Sequence, residues 1–196
     1  MDSKTKINLI YSSNKTFAID VFKRKKYLYE LGLCYLLEGN LKETKKIWNK
    51  LDKNKNSMIY FSRSMLGFIE NKIKDLPSYL QVKCYFESFF DILLSNNQNE
   101  FCEMFLKNIT ILEDINCEIY KYIGRALLNN GYDDLAYDYL NYSVQISDDD
   151  IEAFYMLGEY YVKYNKIDKA SQMFYKILKI NNLYYPAINQ LNLIMK

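Results

Sequence analysis

The feature that most constrains this chain is a repeat. Tyr120, Ile123, Gly124, Leu127, Ala136, Leu140 and Ser143 recur 34 positions later as Phe154, Leu157, Gly158, Tyr161, Ala170, Phe174 and Ile177. All share one offset, without a gap, across Cys117–Tyr184. The spacing within each half suits one face of a helix, so each copy reads as two helices joined by a turn. One amphipathic helix pair cannot bury its apolar face alone, so neighbouring copies must stack.

The register extends in both directions. Phe86, Phe89, Phe90, Leu93, Cys102, Leu106 and Ile109 align with the two clear copies. There Phe90 takes the glycine place, so that copy must pack more openly or shift. Leu28, Leu31, Gly32, Tyr35, Thr44, Trp48 and Leu51 form a further copy, with Gly39-Asn40 as its turn. Gly131 and the polar run Asn96-Asn97-Gln98-Asn99 make the later turns, and Asp148-Asp149-Asp150 opens the helix at Ile151. Gly32 lies 58 rather than 34 residues before Phe90, so about 24 extra residues fall around 59–82. Met58–Lys72 still reads as a helix, with Ile59, Ser62, Leu66 and Ile69 on one side, and Leu76-Pro77 breaks it. After Asn182, Ile188 and Leu191 restart the pattern. The expected organisation is a frayed polar segment over 1–15 and one helical domain over 16–196. Its repeats lie near 25–58, 83–116, 117–150 and 151–184, with an inserted helix at 59–82 and a cap helix at 185–196.

This order of aromatic, apolar-Gly, apolar, Ala and aromatic positions at a 34-residue period resembles the tetratricopeptide repeat (TPR) family. The resemblance is strongest over 117–184. It implies an all-α fold, a right-handed α–α superhelix or solenoid, in which the first helix of each pair lines a concave side. It also implies a class of work: a non-catalytic scaffold for protein binding, holding a peptide or helical partner.

Composition narrows the alternatives. Twenty-six basic and 24 acidic side chains nearly balance, which predicts no general attraction to nucleic acid or anionic membrane. The lone dense basic run, Lys23-Arg24-Lys25-Lys26, reads as a solvated helix turn. There is no histidine, so imidazole chemistry is excluded. The four cysteines, at 34, 84, 102 and 117, form no CxxC pair and read as buried or half-buried free thiols in a reducing compartment. No phosphate-binding loop, nucleophile elbow or metal-ligand spacing occurs, so no enzyme and no cofactor is expected. No apolar run reaches membrane-spanning length, and no secretion signal opens the chain. A cytoplasmic protein is expected.

The candidate partner-binding residues come from the repeat register. Glu87 and Asp91, Lys121 and Arg125, and Tyr155 and Glu159 are pairs four residues apart, each pair 34 from the next. They would face inward together with Tyr29 of the first copy. One outcome is a ladder of ion pairs, Glu87 with Lys121 and Asp91 with Arg125. The other is that Lys121 and Arg125 hold an acidic group of a peptide beside Tyr155. The Lys and Asn clamp by which some TPR proteins hold a chaperone C-terminus is absent, because Tyr29 and Leu33 fill its slots. A second function class is a structural or assembly role, in which Tyr184, Tyr185, Ile188 and Met195 at the terminal helix mediate self-association or docking on a larger complex.

Overall fold

The computed structural model describes residues 1–51, 57–74 and 76–195, except for the side chains of 57–60. The described residues are helical throughout, with no strand among them. They divide into two compact units, Met1–Gln81 with Ile92–Ile109, and Val82–Asp91 with Thr110–Lys196.

The first unit contains α1 (Ser3–Ile10), α2 (Lys15–Lys25), α3 (Leu28–Leu37), α4 (Leu41–Trp48), α5 (Ser57–Ile69) and, after a break, α6 (Tyr79–Cys84), which runs on into the second unit. A π-helical segment, Tyr85–Phe90, continues α6 into α7 (Asp91–Ser95), followed by α8 (Asn99–Leu106). The first eight or so residues depart from expectation. They form a helix because the Asp2 carboxylate caps it, accepting from the Thr5 N–H at 2.7 Å. Lys6 then reaches Glu30 at 2.6 Å and lies over the Tyr27 ring at 3.9 Å, tying α1 to α3. Asn14 and Asn40 cap α2 and α4 in the same way as Asp2 caps α1. The basic run is exposed in the last turn of α2, where it complements the negative helix end. In α5 the expected inward residues Ser62, Leu66 and Ile69 are buried, while Ile59 lies outside the described side chains. Phe68 of α5 stacks on Phe105 of α8.

The second unit adds α9 (Ile109–Ile115), α10 (Ile119–Asn129), α11 (Asp133–Ile146), α12 (Ile151–Lys163), α13 (Ile167–Ile180) and α14 (Tyr185–Ile194). Each of α10 to α13 packs on the next, and the π-helical segment packs on α10. Its core is built from Leu140, Phe154, Leu157, Tyr161, Ala170, Phe174, Ile177 and Leu191. Gly131, at φ +80°, makes the turn between α10 and α11. Lys196 lies outside the described residues.

The repeated glycines have a common geometric cause. A methyl group on Gly32 would fall 2.2 Å from the Trp48 indole nitrogen, one on Gly124 2.6 Å from Leu140 Cγ, and one on Gly158 2.5 Å from the Phe174 ring. In all three hairpins the bulky residue stands 16 positions after the glycine (48 − 32, 140 − 124, 174 − 158). The absent side chain therefore leaves the space into which the second helix of each pair inserts a bulky buried residue. Phe90 denies the copy at 83–116 that space. There the backbone adopts the π-helical turn, which carries an extra residue and re-aims those after it. The two halves of that copy then find different neighbours: Tyr85–Phe90 packs on α10, and α8 packs on α5.

Candidate functional site

The first helix of the clearest hairpin, α10, carries the best-connected charges of the second unit. Lys121 projects from its first turn but is only 4% exposed. Its Nζ lies 2.7 Å from Glu118, 3.0 Å from Asp150 and 3.3 Å from Glu152. Burial alone would depress this ammonium, but the hydrogen bonds to Glu118 and Asp150 outweigh it and hold Lys121 above the ordinary lysine range. Asp150 has a second task. It caps α12, accepting from the Ala153 N–H at 3.1 Å. One carboxylate thus starts α12 and fixes it to α10.

One turn further along α10, Arg125 forks between two carboxylates. It donates to Glu87 at 2.7 Å and to Glu152 at 3.0 Å. Glu87, on the π-helical segment, also has Lys83 within 3.8 Å. Arg125 is a third exposed and Glu152 more than half. Partial desolvation works against ionised Glu152, but Arg125 and then Lys121 prevail and hold its carboxyl below the usual range. Two of the expected ion pairs are therefore corrected. Glu87 meets Arg125 rather than Lys121, and Asp91 is met by the Asn130 amide at 2.9 Å and the Asn129 amide at 3.4 Å rather than by Arg125. The partners of Glu87 and Asp91 lie 38 or 39 residues on, not 34. Glu87 lies on the π-helical segment and Asp91 directly after it, and both meet partners about one helical turn beyond the 34-residue register.

Lys121 is also corrected as a docking residue. It is enclosed by its own chain's carboxylates and does not face solvent. Among the groups of this network, Lys83, Lys121 and Arg125 stand against Glu87, Glu118, Asp150 and Glu152. The surplus is negative, which removes the case for an acidic ligand.

Tyr155 and Glu159 lie one turn apart on α12. The Tyr155 ring packs against Phe174 and Tyr184, and its hydroxyl lies 3.3 Å from the Gln190 amide of α14. Partial desolvation raises the Glu159 carboxyl, against a hydrogen bond from Tyr155. Tyr29 belongs to the first unit. It stacks on Trp48, with 5.9 Å between centroids and 10° between planes, and its backbone carbonyl accepts from the Trp48 indole. Of the seven candidates, Glu87, Lys121 and Arg125 thus join one network.

Sequence reasoning missed Glu118, Asp150 and Glu152 as members of that network. Glu118 was legible, being three residues before Lys121 on one helix face. Asp150 and Glu152 were not, because their distance from Lys121 follows no period. The thiols need a correction too. Cys34 and Cys102 are buried, and burial lifts them to about 11 and about 12, but Cys84 and Cys117 are exposed. Among the described residues no helix is long and apolar enough to cross a membrane, and no group of three or more Cys, Asp or Glu is placed to hold a metal ion. No family model, curated protein or solved structure matches the chain.

Proposed function

We propose that this chain is a TPR-like helical-repeat module, a right-handed α–α superhelix that works by holding a peptide or helix of another protein. The observation that carries this is the hairpin crossing shared by Gly32 with Trp48, Gly124 with Leu140 and Gly158 with Phe174, at one spacing and, for the last two, one 34-residue period. Identical crossings at a fixed period are what a solenoid needs to present equivalent helices side by side. The binding face lies along α10 and α12, with Arg125, Glu152, Glu87, Asp91, Tyr155 and Glu159 as contact residues. Lys121 holds that face together from behind.

Arg125 and Glu152 are the exchangeable part of the network. Both are solvated enough that their mutual pair is worth roughly 0–1 kcal/mol, so a partner's charges replace it at little cost. The test is affinity capture by wild-type and Arg125→Glu protein, both shown to be folded by circular dichroism. A partner retained by wild type and lost by the variant supports this face. The same partners on both would move the binding site elsewhere.

An assembly role has its own support. Leu183, Tyr185, Leu193 and Met195, at the start and end of α14, are each about two-thirds exposed. If they join copies of the chain, sedimentation equilibrium will give a mass that rises with concentration, and Leu193→Glu will return it to that of one chain.

A further inference from the structure

Three tyrosines of α10 and α11 line a cavity away from the charge network. Tyr120, Tyr139, Tyr142 and Asp138 line about 220 Å³ of space open to solvent. The Tyr142 ring stands edge-on to Tyr120 with centroids 4.4 Å apart, and Tyr139 lies nearly parallel to Tyr120 at 6.3 Å. The Tyr120 hydroxyl is 2.8 Å from the Glu113 carboxylate of α9. Tyr120 is buried while Tyr142 is 45% exposed, so the cavity has a fixed wall and an open one.

Two properties of this space point to the same occupant. Aromatic faces attract cations through the ring quadrupole, most strongly where several rings converge. The carboxylates at the cavity are Asp138 in its lining and Glu113 on the Tyr120 hydroxyl; residues 126–162 hold no lysine or arginine, and the cations from outside that stretch pair with Asp133, Asp150 and Glu152 instead. The exposed side of α11 is similar, since Leu135, Tyr142 and Ile146 stand out from it with Asp138 between them. An apolar stripe with the Asp138 carboxylate inside it suits a segment whose long side chains are apolar along the stem and positive at the tip.

We infer that this cavity is a recognition site for a lysine side chain, plain or methylated, of the protein partner. The inference rests on the protein-binding role proposed above but uses a different surface. The ammonium lies against the faces of Tyr139 and Tyr142, with Asp138 at the mouth and the Glu113–Tyr120 hydrogen bond fixing the back wall. The lysine stem runs along Leu135 or Ile146.

The test is an NMR titration of the full chain, following the tyrosine ring signals. The probes are N-acetyl-lysine amide, its trimethyl form, and N-acetyl-norleucine amide, which keeps the stem without the ammonium. The expected result is saturable shifts of Tyr120, Tyr139 and Tyr142 with both cations and none with norleucine. Asp138→Asn should weaken the cations about threefold to tenfold, and Tyr142→Ala about as much. Both positions are exposed, so both variants fold. Equal binding of norleucine would make the cavity an apolar slot, and no saturation with any probe would make it a gap between rings. Either result overturns the inference. Neither bears on the Arg125 face, whose own capture experiment succeeds or fails independently.

Discussion

At the residue scale, the chemistry of this protein is set by which side chains are enclosed. Lys121 is the clearest case. Replacing it with Met leaves Asp150 and Glu118 without their cation in a site that is nearly dry, since Lys121 and Asp150 side chains are 5% and 8% exposed. Breaking such a pair from one side costs about 3–5 kcal/mol, far more than a surface bridge. Urea denaturation of Lys121→Met should show that loss, and Arg125→Met should lose about 1 kcal/mol or less. The pH dependence follows from the same residue. The folded-state value of Lys121 lies above that of the unfolded chain, so its contribution is complete below the ordinary lysine range and fades as pH rises through the folded value. Tyr161 and Tyr120, both raised chiefly by burial, act in the same direction. Thermal melts should therefore hold steady toward neutrality and fall steeply above about pH 10. The thiols divide the same way: maleimide should label Cys84 and Cys117 in the native protein, and Cys34 and Cys102 only after denaturant is added.

At the element scale, the unit of construction is the hairpin whose first helix gives up a side chain so that the second can insert one. Ala is the better helix former by about 1 kcal/mol, so propensity alone predicts that Gly124→Ala and Gly158→Ala stabilise. Packing reverses the sign. Leu140 and Phe174 are fully buried, and a new methyl would lie 2.6 and 2.5 Å from them. Overpacking of this kind costs about 1–3 kcal/mol. Gly32→Ala should be the most damaging of the three, because the rigid Trp48 ring cannot retreat without losing its hydrogen bond to Tyr29. Adding Phe174→Leu to Gly158→Ala should recover part of the loss, a coupling that a double-mutant cycle in urea would measure. These crossings were the most legible part of the sequence, since a glycine and a bulky residue 16 apart recur in plain view. The π-helical segment was half legible. Phe90 announced that the copy at 83–116 could not close in the usual way, but not how the backbone would yield. The helix at 3–10 was half hidden: its Asp2 cap is local, but what ties it to the chain is long-range, since Lys6 meets Glu30 and Tyr27, which no local pattern near Lys6 reveals.

At the scale of the whole molecule, the helices form two compact units, and the ordered repeat belongs to the second. The candidate face was legible there only in outline. The 34-residue period placed Glu87, Lys121, Arg125, Tyr155 and Glu159 on first helices, but pairings between helices depend on how each is rotated, and Glu87 and Asp91, on and next to the π-helical segment, meet partners about a turn beyond the expected ones. Charges that come from helix starts, as Asp150 and Glu152 do, carry no periodic signal at all. On the proposed function, a partner is held along α10 and α12. The most direct test is hydrogen–deuterium exchange on the full chain, alone and with the captured partner. Slowed exchange concentrated in 119–129 and 151–163, with α13 unchanged, is the predicted result. Slowed exchange confined to 183–195 would contradict it and assign the interaction to the exposed apolar residues of α14.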